Sequence, residues 1–230
     1  MKILIGTPIC KEKLYSWDEY VGAIKSNMND TDVLIADTSG SPEVEAKARE
    51  SGFGYQKVIN HNSKRRMDKL VAARNLIFRV AQEKSYDLVF FIDSDVIIPC
   101  NPIRLAMPYI ENGEVWSGFY PITRANGFPT ANAKLKTRLG WFDLPNEFLN
   151  KDRPIQVDLV GLGCCLVPSS IFKYQRIRCR RNAAGVLQAS EDMCFADDCI
   201  ENEYKVWLDT RVMCKHIISD AIQWLGDPNV

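Results

Sequence analysis

Short apolar runs alternate with amphipathic stretches through the first hundred residues of the chain. Runs rich in β-branched and aromatic residues, bounded by turn formers, predict strands over residues 2–5, 32–36, 55–59 and 87–92. Apolar positions at helical spacing predict helices over residues 15–26, 43–51 and 63–84. This alternation predicts an α/β fold in which helices cover both faces of a mainly parallel sheet.

The second half of the chain has a less regular pattern. Strands are predicted over residues 114–120, 155–167, 206–209 and 212–218, and a helix over residues 190–204. Residues 123–154 are polar and rich in turn formers, which predicts a long functional loop. We expect a single domain over residues 1–230, with a nucleotide-binding half (1–100) and a mixed acceptor-binding half (101–230).

Charge and composition narrow the possible partners. The 29 Lys and Arg residues balance 29 Asp and Glu residues, so no basic excess favours nucleic acid. No apolar run approaches the roughly 20 residues that cross a bilayer, and a cytoplasmic protein is expected. The basic segment RIRCRR at residues 176–181 favours either a pyrophosphate or anionic acceptor, or peripheral contact with acidic lipid head groups.

A pair of carboxylates directly follows the apolar run at residues 87–92. In an extended chain, Asp93 and Asp95 would point the same way, beyond the carboxyl edge of the sheet where α/β folds bind ligands. Two carboxylates beside a diphosphate suit Mn²⁺ or Mg²⁺, which would neutralise charge on the leaving group. The alternative is that Asp93, Ser94 and Asp95 only form a turn.

A series of segments in order along the chain resembles those of GT-A fold glycosyltransferases, especially members of glycosyltransferase family two. They are KILIGTP, VLIADTSGSP, LVAARN, FFIDSDVIIP, the pair WSGFYP and VDLVGLGCCLV, SEDMCF, and CKHI. The resemblance implies a GT-A fold, with a Rossmann-like nucleotide-binding half. The chain departs from the pattern at Ser190, where relatives often carry Gly or Thr, although Ser is a good helix N-cap.

The resemblance also implies a donor site on the first half of the chain. Its expected members are Thr7 and Pro8 after the first strand, Asp37 at the base or ribose, Arg74 at the phosphates, and Asp93 with Ser94. Gly161 and Gly163 would let the backbone approach the donor sugar closely, unless they mark a bulge.

The implied catalytic group is Asp192, as the base that deprotonates the acceptor hydroxyl, with Glu191 orienting the site. Both positions also have a structural explanation, because carboxylates are favourable at a helix N-terminus. His216 would complete the metal ligands of Asp93 and Asp95, or act as a structural hydrogen-bonding group.

The sequence therefore predicts a metal-dependent glycosyltransferase that uses a UDP- or GDP-sugar donor and Mn²⁺ or Mg²⁺. Its acceptor, whether a glycan, a lipid-linked group or a protein, stays open. One alternative is a nucleotidyltransferase, although no Gly-rich phosphate loop follows the first strand. The other is a non-catalytic module that binds nucleotide sugars, which the intact carboxylates disfavour.

Overall fold

The computed structural model describes residues 1–28, 31–59, 65–123, 129–144, 149, 152–173, 176–218 and 221–223. Within these ranges no helix is long and apolar enough to cross a membrane. The helices are α1 (Trp17–Asn27), α2 (Pro42–Glu50), α3 (Arg66–Glu83), α4 (Ile103–Ile110) and α5 (Glu191–Glu201). Short 3₁₀ helices cover Lys11–Ser16 and Ser169–Lys173.

The strands of the first half are β1 (Ile3–Ile9), β2 (Asp32–Asp37), β3 (Gly54–Lys57), β4 (Leu88–Ile92) and β5 (Val96–Ile97). The next are β6 (Val115–Phe119), β7 (Pro121–Thr123), β8 (Pro129–Ala131), β9 (Ala133–Thr137) and β10 (Gly140–Asp143). They are followed by β11 (Ile155–Val157), β12 (Leu159–Val160), β13 (Cys164–Pro168) and β14 (Arg180–Arg181). The last are β15 (Leu187–Ala189), β16 (Val206–Met213), β17 (Lys215–Ile218) and β18 (Ala221–Gln223).

One large sheet organises the part of the chain that the structure describes. Its order is β11-β16-β6-β13-β4-β1-β2-β3. Strands β3, β2, β1 and β4 pair in parallel, as do β6 and β16, whereas β13 is antiparallel to both of its neighbours. The mainly parallel α/β sheet predicted from the sequence is therefore confirmed.

Helices pack on both faces of this sheet, because alternate strand residues point to opposite sides. On β4, Phe91 faces the layer that contains α3 and α5. Its neighbour Phe90 faces the layer that contains α1, α2 and α4. The strand is buried on both faces, which explains its continuous apolar sequence.

The prediction of a long loop over residues 123–154 is wrong where the structure describes it. Strands β8, β9 and β10 lie in this segment, and residues 124–128, 145–148 and 150–151 fall outside the described residues. Strands β9 and β10 form a hairpin in which Gly140 adopts a φ of +123°, a conformation that favours glycine. The alternation of Ala133 and Leu135 with lysines was the missed signal.

Other boundaries also differ from the sequence prediction. The single strand expected over residues 155–167 is broken into β11, β12 and β13, with Gly161–Gly163 before the last. Strand β1 continues through Pro8 to Ile9. Proline has no backbone N–H to donate, but it is tolerated here because the pairing of β1 with β4 ends at Gly6 and Pro8 pairs only with β2. Helix α4, which contains Pro108, was not predicted.

Candidate functional site

The segment from Asp93 to Val96 forms a tight turn at the carboxyl end of β4. The N–H of Val96 donates to the carbonyl of Asp93 at 2.9 Å, which closes the turn. The expected extended geometry is therefore wrong, and the two carboxylates take different partners. Asp93 faces Arg74, whereas Asp95 faces Lys13 and His216. Ser94 is fully buried between them.

Asp95 is held by two basic side chains. Its carboxylate is 4% exposed, and Oδ2 forms an ion pair with Nζ of Lys13. The same oxygen lies 3.6 Å from Nε2 of His216. Burial opposes ionisation of Asp95, but His216 and Lys13 outweigh it and lower its pKa to about 2. Asp95 is therefore a carboxylate anion at neutral pH.

The pairing of β5 with β17 brings His216 to this carboxylate. Val96 lies opposite His216 in the antiparallel ladder, and the N–H of Ile217 donates to the carbonyl of Asp95 at 2.8 Å. Nδ1 of His216 lies 2.7 Å from the carbonyl of Pro121, so Nδ1 carries a proton and donates. Burial lowers the pKa of His216, but Asp95 outweighs it, and the pKa is raised.

The chemistry of Asp93, Asp95 and His216 fits a divalent cation. Oδ1 of Asp95 is buried and has no hydrogen-bond partner among the described residues, so a lone pair of a hard oxygen is left unused there. The bond from Nδ1 of His216 orients Nε2 as metal ligands are usually oriented. Across the described ranges, however, no three His, Cys, Asp or Glu side chains are already gathered to hold a metal. A bound ion would require the side chains to move.

Arg74 on α3 lies at the centre of a carboxylate cluster. Its side chain is 2% exposed, and Nη2 donates to Oδ1 of Asp93 at 3.2 Å. Glu191 and Asp192 each approach the guanidinium to 3.8 Å. Burial disfavours the charge of Arg74, but the carboxylates outweigh it and raise its pKa. The structure places Arg74 where it positions carboxylates, and its predicted phosphate contact stays a prediction.

Glu191 and Asp192 begin helix α5, as the sequence predicted. The hydroxyl of Ser190 accepts a hydrogen bond from the N–H of Met193 and caps the helix. Oδ1 of Asp192 accepts from the N–H of Leu162 at 3.2 Å. Burial, followed by the charge of Glu191, raises the pKa of Asp192 to about 8, and its 28% exposure lets water moderate that shift. A raised pKa near neutrality suits a general base.

Tyr120 reaches into the same cluster from the end of β6. Its hydroxyl accepts a hydrogen bond from the N–H of Gly163 at 3.0 Å, and its ring meets that of His216 edge-on at 5.6 Å. A Cβ on Gly161 would lie 2.2 Å from this hydroxyl, and one on Gly163 would lie 2.8 Å from it. Both glycines thus make room for Tyr120. Their expected contact with a donor sugar stays a prediction.

The geometry assigns Asp37 to a turn. Its fully buried carboxylate accepts hydrogen bonds from the N–H and hydroxyl of Ser39, the N–H of Ser41 and the hydroxyl of Tyr55. These four hydrogen bonds use both carboxylate oxygens, and the predicted contact of Asp37 with a base or ribose stays a prediction. The side chain of Thr7 is likewise buried and bonds the hydroxyl of Tyr20, and Pro8 is buried within β1.

Most of the basic segment at residues 176–181 is engaged within the protein. Arg178 binds Asp198 and Arg181 binds Asp68, and the guanidinium of Arg180 lies 3.7 Å from Asp197. These ion pairs tie the segment to α3 and α5. Contacts with phosphate or lipid therefore stay predictions.

Comparison with solved structures identifies the type of fold. Residues covering 99% of this chain superpose on 95% of A197 from STIV, with a TM-score of 0.56 and 15% identity. For TarS from S. aureus, a GT-A-like glycosyltransferase, the TM-score is 0.53 with 16% identity over 91% of this chain. The chain has a GT-A-like fold.

This chain spans 60% of the TarS fragment 1–349 and 37% of the longer TarS structure. No protein-family model matches the sequence, and no curated protein matches it either. The GT-A-like likeness therefore concerns the fold, and membership of glycosyltransferase family two is not confirmed.

Sequence reasoning missed one member of the site, Lys13, and did not predict the contacts of Tyr120. Lys13 carries no motif, and only its contact with Asp95 across 82 positions reveals it. Tyr120 reads as a core aromatic, although the two glycines at 161 and 163 were a signal that a bulky group approaches that backbone.

Proposed function

We propose that this chain is a metal-dependent glycosyltransferase that moves a sugar from a nucleotide-diphosphate donor to an acceptor hydroxyl. The observation that carries the proposal is the cluster of Asp93, Glu191 and Asp192 around Arg74, on a GT-A-like fold. The cluster lies at the carboxyl end of β4, where open α/β sheets bind ligands.

Asp192 is the general base of this proposal. The N–H of Leu162 fixes Oδ1, so the carboxylate has one oriented oxygen. Asp192 takes the proton of the acceptor hydroxyl, whose oxygen forms a bond to the anomeric carbon as the bond to the nucleoside diphosphate breaks. Glu191 and Arg74 hold the base in place through the contacts described above.

Mn²⁺ or Mg²⁺, held by Asp93, Asp95 and His216, would neutralise the charge that develops on the diphosphate leaving group. Asp95 is suited to such a role because its pKa is low and no described residue forms a hydrogen bond with Oδ1. His216 presents Nε2 toward the same carboxylate.

The test is hydrolysis or transfer of UDP- and GDP-sugars with Mn²⁺, in wild-type protein, Asp95→Asn and Asp192→Asn. We expect Asp192→Asn to lose at least about a hundredfold in rate, as removal of a general base typically does. Asp95→Asn should lose a similar factor, because it removes a charged ligand of the metal that stabilises the leaving group. Asp197→Asn is the matched control, because Asp197 lies on the same helix but pairs with Lys136 and Arg180 outside the cluster. Full activity of Asp95→Asn and Asp192→Asn would reject these roles.

Binding without turnover would instead support a non-catalytic module. Calorimetry with UDP- and GDP-sugars, with and without Mn²⁺, separates the two cases: a module binds the donor but releases no free sugar and no nucleoside diphosphate over hours.

A further inference from the structure

Lys13 lies at the rim of the carboxylate site in a short 3₁₀ helix that follows β1. Its N–H donates to the carbonyl of Cys10 at 3.0 Å, and its carbonyl accepts from the hydroxyl of Ser16 at 3.0 Å. These bonds fix the backbone, while the side chain remains 23% exposed. The ammonium group therefore sits at the boundary between the buried carboxylates and solvent.

The ammonium of Lys13 and the imidazole of His216 share a single oxygen of Asp95. Oδ2 contacts both side chains, whereas Oδ1 has no hydrogen-bond partner within the part of the chain that the structure describes. A divalent cation at Asp95 would lie beside the Lys13 ammonium on one buried carboxylate. Like charges at such short range repel strongly in a site with little water. Lys13 is the partner able to turn away, because its side chain is long and partly exposed.

We propose that Lys13 is a diphosphate-binding residue that leaves Asp95 when the donor binds and pairs with the donor's diphosphate. This inference rests on the proposed function, because it needs a diphosphate beside Asp95. Lys13 supplies a positive charge to the phosphates that does not depend on the metal. It also competes with the metal for Asp95 while no nucleotide is bound.

Two consequences follow from this role, and the first separates it from that of a simple ion pair. Lys13→Met should weaken the binding of a nucleoside diphosphate while leaving the nucleoside alone unaffected. The same variant should strengthen Mn²⁺ binding in the absence of nucleotide, because the competing cation is gone. Substitution of a residue that only stabilises the fold would change neither the affinity for the nucleoside diphosphate relative to the nucleoside nor the affinity for Mn²⁺.

The experiment is calorimetry with UDP, GDP, uridine and guanosine in EDTA, and with Mn²⁺ alone. In EDTA we expect Lys13→Met to bind the preferred nucleoside diphosphate about tenfold more weakly, as loss of one charge-assisted hydrogen bond predicts. Lys13→Arg should stay near wild type because it keeps the charge. Lys11→Met is the matched control, since Lys11 is in the same 3₁₀ helix and 63% exposed, with Glu43 at 3.8 Å.

Equal diphosphate affinity in Lys13→Met and Lys11→Met, with unchanged Mn²⁺ affinity, would overturn the role of Lys13 and leave the proposed function standing. If wild-type protein binds neither UDP nor GDP, with or without Mn²⁺, both proposals fail. Lys13→Gln replaces Lys13→Met if the latter does not fold, because an amide can still donate to Asp95 without bringing a charge.

Discussion

The backbone N–H of Gly163 donates a hydrogen bond to the hydroxyl of Tyr120, with 3.0 Å between the two atoms. This contact joins the end of β6 to the turn before β13 and places a phenol beside the carboxylate cluster. Burial, followed by the charges of Asp192 and Asp93, raises the pKa of Tyr120 well above its ordinary value. Tyr120 therefore remains protonated and can donate a hydrogen bond within the site.

Gly163→Ala should disrupt this arrangement. The new methyl group would lie 2.8 Å from the Tyr120 hydroxyl and 3.1 Å from Oδ2 of Asp93, so close that these oxygens would have to shift. We expect the free energy of unfolding to fall by about 1–3 kcal/mol, as overpacking of a dense interior does. Urea unfolding followed by circular dichroism measures this.

Gly22→Ala is the control for that substitution. Gly22 lies inside α1, and a Cβ there meets no atom within 4 Å. Alanine is the better helix former, so this variant should gain up to about 1 kcal/mol. A Gly163→Ala protein as stable as Gly22→Ala would contradict the close approach of Tyr120.

Arg74→Met should be severely destabilising. The variant removes the one guanidinium that contacts Asp93, Glu191 and Asp192, and leaves those carboxylates partly buried without it. Removal of one partner of a buried ion pair lowers the free energy of unfolding by about 3–5 kcal/mol. Loss of the positive charge should also raise the pKa of Asp192 further, since Arg74 lowers it.

Arg79→Met is the comparison for Arg74→Met, because Arg79 lies on the same helix but is 65% exposed, with Glu83 at 3.8 Å. Its loss should change stability by less than about 0.5 kcal/mol. Equal effects of the two substitutions, measured by denaturant unfolding, would show that Arg74 does not organise the cluster.

The sequence predicted those features of the fold that local pattern determines. The apolar run of β4 and the helical spacing of α3 both follow from periodicity, and both are present. The placement of Glu191 and Asp192 at a helix start follows from the capping residue Ser190.

Side-chain partners could not be predicted in the same way, because they depend on contacts distant in sequence. A turn replaces the extended chain at Asp93 and Asp95, and the two carboxylates take different partners from other elements. Lys13 reaches Asp95 only because β1 and β4 are neighbours in the sheet.

Because of Asp192, the free energy of unfolding should fall and the rate of transfer should rise as the pH increases. Its pKa is raised from 3.8 to about 8, so the folded protein binds a proton that the unfolded chain releases between these values. The stabilisation that this proton provides is present below about pH 4 and is lost as pH rises toward about 8. The base must be ionised to act, so the rate of transfer should rise over the upper part of the same range.

Asp192→Asn tests this directly, because it cannot ionise. Denaturant unfolding between pH 5 and pH 9 should show a smaller decline in stability for the variant than for wild type. Asp197→Asn serves again as the control on the same helix. Parallel pH–stability curves for wild type and Asp192→Asn would contradict the raised pKa.

Asp37→Asn should weaken the fold without weakening nucleotide binding. The carboxylate of Asp37 accepts from Ser39, Ser41 and Tyr55 and so closes the turn between β2 and α2. An amide nitrogen in place of one oxygen would face donors and leave them unsatisfied, which costs about 1–3 kcal/mol.

Asp18→Asn is the control, since Asp18 is 95% exposed. Urea unfolding should separate the two variants, whereas calorimetry with UDP and GDP should not. A large loss of nucleotide affinity in folded Asp37→Asn alone would instead support the contact with a base or ribose that the sequence predicts, because a residue buried only to hold a turn has no contact with the ligand to lose.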